Sequence, residues 1–512
     1  MKIRFHTYKW WSCISILHWM ISFFTDRLIF SITAEKIGFY MLMKVLFLIL
    51  LNGMWIKVAD TIRKCMEGNA VTIQRLIYGC SYAMILFLTL FIIWPGIWRT
   101  DEFGVLGNVI VLQIYWWQHL LTSLFYIFSM MLIPNPVGVI IVQVVLVSIG
   151  FGYLAELLEQ KFRRKWTGYL LLIPFCIPSV VMFQLYPMRI TLYAILELVM
   201  LFFLYDHIVR AEKINDIQMI FLALGTGILA NWRSEGIYYV IVLPLFAGIV
   251  LYKKMISRKQ YFCYLLIVLA STGLIGTIQR EGIHKERNDA YEITAYAQAL
   301  PCLVRAAYED HDEEGLYIVD KVIDVEAVLQ AQEEGKEGID SFWAGDMSSK
   351  EYTAEEFNEF RKQYYIWAIR YAGEFLGERT HNFLTSYEQT KNTENLYDDT
   401  NIQFVFFLQT FQHVEPFFPA LREKVVLFME KHCWCIFEIP MVIMVLTALC
   451  CMRRHKQVGA LICMILVRIP LIYLTAPDNF FMYYYPFLLS GSVIGCFAVA
   501  ALFQKSKKYI SF

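Results

Sequence analysis

The stretch VGVIIVQVVLVSIGFGYLAELL, residues 137–158, decides the fold class of this chain. It carries one charged side chain, Glu156, close to its end. An α-helix rises about 1.5 Å per residue and the hydrocarbon core of a bilayer is about 30 Å thick, so a helix of this length can cross it. The stretch therefore predicts a membrane-spanning helix.

Runs of the same character recur along the chain. Hydrophobic residues make up 58% of the 512 residues and charged residues 18%, against roughly 25% charged in a soluble domain. The other apolar runs lie at 10–24, 39–55, 76–94, 169–186, 191–205, 217–230, 237–252, 261–278, 433–452, 458–474 and 480–503. We therefore expect an all-α polytopic membrane protein with about 12 transmembrane helices. The first run is the weakest, because Asp26 and Arg27 interrupt it.

Short loops rich in Lys and Arg orient these helices, since such loops stay on the cytoplasmic side. They occur at 63–64, 161–165, 253–259, 453–456 and 505–508. Their alternation predicts a multi-pass protein of the plasma membrane with both termini in the cytoplasm. The 45 basic and 45 acidic residues cancel, so the chain lacks the basic surface of a nucleic-acid-binding protein, and we expect no nucleic-acid partner.

The apolar runs and loops also suggest a division into parts. We expect an N-terminal transmembrane hairpin at 1–75, a transmembrane core at 76–278 with an outer loop at 95–136, an extracytoplasmic, mainly helical domain at 279–431, and C-terminal transmembrane helices at 432–512. The segment 279–431 holds about two-thirds of the acidic residues and about one-third of the basic ones, which indicates a water-exposed domain.

One long helix is predicted within this outer domain. Thr353 and Glu356 have the spacing of a capping box, which marks the start of a helix. Apolar residues then recur at helical spacing as far as about Leu384.

The densest polar signal is WPGIWRTDEFGVLGN, residues 94–108. Its proline and glycine stop the preceding helix, and its tryptophans favour the membrane interface. Asp101 and Glu102 are therefore expected close to the outer membrane surface. Adjacent acids beside a hydrocarbon boundary are placed to have raised pKa values and to act as a general base or to hold a cation. The alternative is that both are solvated loop residues.

The next stretch, 105–133, is apolar but carries several polar and aromatic side chains. A single crossing here would disturb the alternation of the basic loops, so we expect two amphipathic helices lying along the membrane. His119 is a candidate substrate contact. The alternative is a hydrogen-bonded structural histidine.

A second polar cluster is NWRSEGIYY, residues 231–239, at the outer junction of two predicted spans. Arg233 offers a bidentate fork that suits a phosphate, and Glu235 is suited to orient it or to bind a sugar. Alternatively, the two side chains form an ion pair that anchors a helix end. Arg189 is expected at the same outer level and joins the candidate site.

The order of these features resembles bacterial members of the GT-C glycosyltransferase superfamily, from about Leu76 onward. The short motifs that carry the resemblance are Trp94-Pro95-Gly96 running into Asp101-Glu102, the stretch 115–133, Arg233-Ser234-Glu235-Gly236, and Met482-Tyr483-Tyr484-Tyr485-Pro486. The resemblance implies a membrane enzyme that moves a sugar from a polyprenyl-phosphate donor to an extracytoplasmic acceptor. Its implied partners are this lipid-linked sugar, a glycan, lipid or protein acceptor, and membrane lipid.

The resemblance also implies roles for single residues. It places the catalytic aspartate at Asp101, with Glu102 as the second candidate, to deprotonate the acceptor hydroxyl. Some members of the family use a divalent metal ion in this step, and no other cofactor is implied. It assigns the binding of the lipid phosphate to Arg233, and it places Tyr484 in the terminal substrate-binding motif. Members often carry an arginine just before that tyrosine motif, where this chain has Met482, so one phosphate or sugar contact departs from the pattern.

Two other classes share parts of this layout. A different envelope-polysaccharide polymerase or ligase has spans and an outer loop, but should need basic outer residues to hold lipid pyrophosphates, whereas 279–431 is acidic. A multi-pass transporter built from paired repeats should show broken helices in two matching halves and no sizeable outer domain. Both are kept as alternatives to the glycosyltransferase.

Overall fold

The computed structural model describes residues 2–252, 254–283, 292–336, 338–345, 351–386, 402–411, 413–432 and 436–505. Over these ranges the regular secondary structure is helical, and the only β-type pairing is an isolated bridge between Tyr252 and Ile256. The predicted all-α class is confirmed for this part of the chain. The start of the predicted run 433–452, residue 1 and the basic tail beyond Lys505 lie outside the described residues.

The α-helices follow one another in chain order. They are α1 (Lys2–Thr25), α2 (Ile37–Met66), α3 (Ala70–Ile92), α4 (Thr100–Ile110), α5 (Leu120–Leu132), α6 (Gly138–Phe162), α7 (Leu172–Phe175), α8 (Pro178–Gln184), α9 (Arg189–Arg210), α10 (Asp216–Trp232), α11 (Tyr239–Phe246), α12 (Arg258–Thr277), α13 (Leu300–Glu309), α14 (Glu313–Asp320), α15 (Val325–Glu333), α16 (Gly338–Ala344), α17 (Ala354–Arg370), α18 (Ala372–Thr385), α19 (Ile402–Thr410), α20 (Pro419–Lys431), α21 (Glu438–Arg454), α22 (Lys456–Leu466), α23 (Arg468–Thr475) and α24 (Tyr485–Lys505).

Seven helical segments of the described chain are long and apolar enough to cross a bilayer. They are Ala34–Met66, Ala70–Ile92, Gly138–Phe162, Arg189–Arg210, Ser234–Leu251, Arg258–Ile283 and Lys456–Thr475. A bent pair, Thr167–Phe175 with Pro178–Gln184, makes an eighth if it acts as one span. The twelve predicted spans are not confirmed. Two of the predicted runs form α10 and α21, which have 17 residues each; at helical rise that is about 26 Å, shorter than a typical hydrocarbon core.

The described residues group into two compact units. The first unit contains Met1–Ile275, Thr393–Cys463 and Tyr485–Phe512, and the second contains Gly276–Asn392 and Met464–Tyr484. The predicted outer domain 279–431 is therefore shared between the units, because its last part, from Thr393, groups with the first unit.

A buried ion pair joins the end of α1 to α2 in the first unit. Lys44 Nζ lies 2.8 Å from Oδ2 of Asp26, and both side chains are fully buried. The Tyr40 hydroxyl donates to the same carboxylate oxygen at 2.8 Å, and Lys44 also donates to Ser22. Asp26, which interrupts the first apolar run in the sequence, therefore holds the N-terminal hairpin together.

The helices α3 and α6 approach closely at two glycines. A Cβ on Gly152 would lie 2.4 Å from the backbone oxygen of Arg75, and one on Gly79 would lie 3.0 Å from the backbone oxygen of Ser148. Small residues let helix backbones come close in membranes, where van der Waals packing drives helix association. The Arg75 side chain adds an ion pair with Glu156 of α6, at 2.9 Å.

The predicted span 169–186 is bent rather than straight. Its two halves meet at 82°, and Pro178, the first residue of α8, has no N–H to continue the preceding helix. Side chains from other helices bind carbonyls of this segment: Tyr82 donates to Phe175 O, at the bend, at 2.7 Å, and Gln143 donates to Tyr186 O, beyond the end of α8, at 2.7 Å. These bonds make the bend tolerable in a protein interior, where unpaired carbonyls are costly.

The second unit has a hydrophobic core of its own, in which Phe360 and Trp367 are fully buried. The Thr353–Glu356 capping box is confirmed, since each residue's backbone N–H donates to the other's side chain, at 2.8 and 3.2 Å. The predicted single helix to Leu384 is instead two helices. The backbone leaves helical geometry at Tyr371, with ψ of 45°, and separates α17 from α18.

Candidate active site

The turn between α3 and α4 positions the two predicted acids. Gly96 has a φ of +94°, and a Cβ there would lie 3.1 Å from Leu185 O and 2.3 Å from the side chain of Ile140, so only glycine fits. The same Leu185 oxygen accepts a hydrogen bond at 3.1 Å from the N–H of the residue after Gly96. The chain then enters α4, whose first turn contains Asp101 and Glu102.

The two acids have different surroundings. Glu102 is buried, and the hydroxyl of Tyr186 donates to its Oε2. Burial, and then the neighbouring charge of Asp101, raise the pKa of Glu102 to about 8. Asp101 is partly exposed. Burial raises the pKa of Asp101 too, but Arg189 acts against this shift. At neutral pH Glu102 therefore keeps its proton more readily than Asp101 does.

Two arginines lie near the Asp101 carboxyl group. The charges of Arg189 and Arg99 both favour its ionised form and so lower its pKa against the effect of burial. Arg99 lies over the ring of Tyr186, 5.2 Å from the centroid, and Arg189 Nη1 lies 3.5 Å from Trp232 O. Neither arginine forms an ion pair with any described residue. Both positive charges therefore act at the Asp101 carboxyl group.

The loop between α4 and α5 supplies the predicted His119 and a residue that was not predicted, Gln118. Gln118 Nε2 donates to Oδ2 of Asp101 at 3.3 Å, which orients that carboxylate. His119 caps α5, because its Nδ1 accepts a hydrogen bond from Leu121 N–H at 3.3 Å. This is the structural role that the second interpretation of His119 predicts. Two helices are present where 105–133 predicts them, but α4 begins earlier, at Thr100; that they lie along the membrane stays a prediction.

Arg233 and Glu235 form a buried ion pair. Arg233 Nε donates to Glu235 Oε1, and the two side chains are 3% and 7% exposed. Arg233 follows the last residue of α10, Trp232, whose indole donates to Thr122 of α5 at 3.3 Å. This arrangement matches the helix-anchoring interpretation of the pair. Arg233 also adjoins Arg189, which reaches the Trp232 carbonyl.

Aromatic rings from a distant part of the chain cover the turn before α4. The ring of Phe407 lies 5.1 Å from that of Trp98 and 5.5 Å from that of Phe103. Phe417 stacks on Trp94 at 5.1 Å. Sequence reasoning assigned these phenylalanines to the outer domain. The aromatic run FVFF at 404–407 is typical of the membrane interface, where Trp94 and Trp98 were also predicted. This shared preference is the sequence signal that could have predicted the contact.

Tyr484 belongs to the second unit, unlike the other predicted site residues. Its side chain is buried there, and its ring meets that of Phe383 edge-on at 5.4 Å. The structure therefore shows Tyr484 in a packing contact, and the acid and arginine cluster is built from the first unit.

The cluster offers a proton acceptor and two cations. Asp101 can take a proton, while Arg99 and Arg189 can stabilise an anion beside it. Sequence reasoning missed Arg99, which stands two residues before Asp101, and Tyr186, which is 84 residues from Glu102 and gives no local signal. Within the described ranges, no group of three or more His, Cys, Asp or Glu side chains is placed to hold a metal ion.

Comparisons with known proteins give no relative for this chain. No protein-family model matches it, and neither curated proteins nor solved structures give a significant match.

Proposed function

We propose that this chain is a membrane glycosyltransferase of the GT-C kind, which moves a sugar from a polyprenyl-phosphate donor to an acceptor hydroxyl. The observation that carries the proposal is the placement of Asp101 beside Arg189 and Arg99. Arg189 is also the first residue of an apolar helix long enough to span the membrane. A proton acceptor and two cations at such a boundary suit a phosphate that is attached to a lipid.

Each step of the transfer has a group to support it. The acceptor hydroxyl gives its proton to the Asp101 carboxylate while its oxygen bonds to the anomeric carbon of the sugar. The bond between that carbon and the phosphate oxygen breaks, and its electron pair leaves with the polyprenyl phosphate. Arg189 and Arg99 stabilise the negative charge that grows on the phosphate.

Glu102 supports this reaction without carrying it. It is buried, bound to Tyr186, and has a raised pKa, so it is mostly neutral when Asp101 is ionised. A neutral neighbour lets Asp101 carry the only charge of the pair. Gln118 holds the Asp101 carboxylate at a fixed orientation.

We assign the donor phosphate to Arg189 and Arg99 in place of Arg233. Arg233 forms a buried ion pair with Glu235, whereas the charges of Arg189 and Arg99 act on the Asp101 carboxyl group. The pair of Arg233 and Glu235 then supports the end of α10.

The test uses the purified protein in lipid nanodiscs with a panel of polyprenyl-phosphate sugars. We expect the wild type to release polyprenyl phosphate from at least one donor, detected by mass spectrometry, and Asp101→Asn to lose this activity. The matched control is Glu67→Gln, an exposed acid just beyond α2, which should keep the wild-type rate. A folded wild-type protein that consumes no donor of the panel would overturn the proposal.

A further inference from the structure

The helix α18 of the second unit packs on the end of an apolar helix. The hydroxyl of Tyr473, in α23, lies 2.8 Å from Thr380 Oγ1 and donates to Leu376 O at 3.3 Å. The ring of Phe383 lies 6.2 Å from that of Tyr473. Three residues over two turns of α18 therefore contact one residue of α23.

A buried arginine strengthens this contact. Arg379 is 1% exposed, and its Nη1 donates at 2.5 Å to the carbonyl of Ala476, the residue that ends α23. A cation is favourable at a helix C-terminus, because the last carbonyls carry partial negative charge. Arg379 also donates to the Tyr364 hydroxyl at 3.2 Å. The position of α18 against the end of α23 is thus fixed by charge as well as by packing.

The end of α23 is also the end of a segment that can span the membrane. Lys456–Thr475 has 20 residues and the composition of a transmembrane helix. A helix of 20 residues is about 30 Å long, the thickness of the hydrocarbon core. If Lys456 lies at one membrane surface, Thr475 and Tyr473 lie at the other. α18 is then held at that same surface.

Two leucines of α18, which packs on the end of α23, are exposed. Leu376 and Leu384 are 47% and 53% exposed, and Leu474 beside Tyr473 is 44% exposed. Exposed leucines next to the end of a transmembrane helix gain free energy if they enter the acyl-chain boundary of the bilayer.

We propose that α18 is an interfacial helix, whose Leu376 and Leu384 side chains insert into the outer edge of the lipid bilayer. The partner is the lipid itself, and the surface adjoins Tyr473 and the exposed Leu474 at the end of Lys456–Thr475. This inference depends on that segment crossing the membrane. It does not depend on the glycosyltransferase reaction.

Site-directed spin labelling tests the proposal on the full-length protein in phospholipid nanodiscs. A nitroxide amino acid introduced by amber suppression avoids the twelve native cysteines. We expect labels at positions 376 and 384 to show a several-fold higher ratio of oxygen to nickel-chelate accessibility than a label at the matched position Glu333, an exposed residue of α15. A label at Val467, 50% exposed within the apolar segment, serves as the membrane reference.

Two outcomes would overturn the inference. Accessibility at 376 and 384 equal to that at Glu333, in labelled proteins that remain monodisperse, would place α18 in water. A label at Val467 as accessible to nickel as that at Glu333 would show that Lys456–Thr475 does not span the membrane. Donor turnover is not read in this experiment, so neither outcome bears on the proposed enzyme activity.

Discussion

Asp101 and Glu102 are neighbours in the chain but differ in burial and in partners. Asp101 is partly exposed, accepts from Gln118 and lies near two arginines, while Glu102 is buried and accepts from Tyr186. The proposed reaction needs a base that ionises and meets substrate, and only the first acid has those properties.

Asp101→Asn keeps the size of the side chain and its hydrogen bond from Gln118 but removes its basicity. We expect sugar transfer to fall about a hundredfold or more, on the usual scale for loss of a general base, with normal insertion and folding. Initial rates of donor consumption in nanodiscs measure the effect. Glu102→Gln should be the milder change. If it is inactive and Asp101→Asn is active, the two roles are exchanged.

The raised pKa of Glu102 predicts a pH-dependent stability. The unfolded chain releases this proton above about pH 4.3, whereas the folded protein holds it up to about pH 8. The contribution of Glu102 to stability is therefore greatest at low pH and declines as the pH rises through this window. Glu102→Gln lacks this decline. The thermal unfolding midpoint of the variant, relative to that of the wild type, should therefore rise between pH 5 and pH 9. A constant difference over that range would show that Glu102 is not buried as described.

The Arg233 and Glu235 pair offers a test that separates folding from ligand binding. Arg233→Ala leaves a buried carboxylate without its cation and should lower the free energy of unfolding by about 3–5 kcal/mol. Combining Arg233→Met with Glu235→Gln removes both charges and should recover most of this loss. Denaturant unfolding of the detergent-solubilised protein measures both variants. If the Arg233→Ala protein is stable but no longer binds polyprenyl phosphate, Arg233 is the residue that binds the donor phosphate.

The sequence was informative about single residues only where the signal is local. Proline and glycine within 94–108 predicted correctly that the preceding helix ends there, whereas the position of Asp101 at the outer membrane surface stays a prediction. The hydrogen bond of the buried Glu102 could not be predicted, because its donor, Tyr186, lies 84 residues away in the chain. The N-cap role of His119 also needs the helix that follows it to be known.

At the scale of elements, the close approach of α3 and α6 rests on glycine. Gly152→Ala places a methyl group 2.4 Å from the Arg75 carbonyl, and backbone cannot yield as a flexible side chain does. We expect this variant to lose about 1–3 kcal/mol of stability, as for overpacked interiors. Gly53→Ala in α2 is the control, since a Cβ there meets nothing within 4 Å. Thermal unfolding midpoints that are equal for the two variants would contradict a tight α3–α6 contact.

The bounds of a helix can be predicted from the sequence where their causes are local, and not where they depend on distant residues. The run 137–158 corresponds to α6, Gly138–Phe162, because one continuous apolar stretch has only one way to satisfy its backbone in lipid. The run 169–186 is apolar too, but it bends at Pro178, and two of its carbonyls accept hydrogen bonds from Tyr82 and Gln143 of other helices. No property of the run itself predicts those partners.

At the scale of the whole molecule, the topology remains a prediction from the basic loops. It places Glu313, an exposed residue of α14, outside the cell and Lys254 in the cytoplasm. A cysteine at 313 should react with a membrane-impermeant maleimide in intact cells, and a cysteine at 254 only after permeabilisation. The parent protein gives the background from the native cysteines. Labelling at 254 but not at 313 in intact cells would show that the orientation is the opposite of the predicted one. Asp101 and its neighbouring arginines would then lie on the cytoplasmic side.

The number of spans shows why hydropathy alone was not sufficient. A window of apolar residues does not give the length of the helix that forms, 17 residues in α10, or the bend between α7 and α8. Helix length and bending depend also on capping and on partners from the rest of the fold.

The contact of Trp94 with His413 has a consequence for how the protein is made. The indole of Trp94 donates to a carbonyl 319 residues further along the chain, and Phe407 and Phe417 cover the same turn. A ribosome delivers the acids and arginines of the cluster to the membrane long before it has synthesised these rings. In that interval the tryptophans lack the contacts with Phe407 and Phe417. A nascent chain that stalls before residue 402 would carry every ionisable group of the proposed site but neither of these two rings.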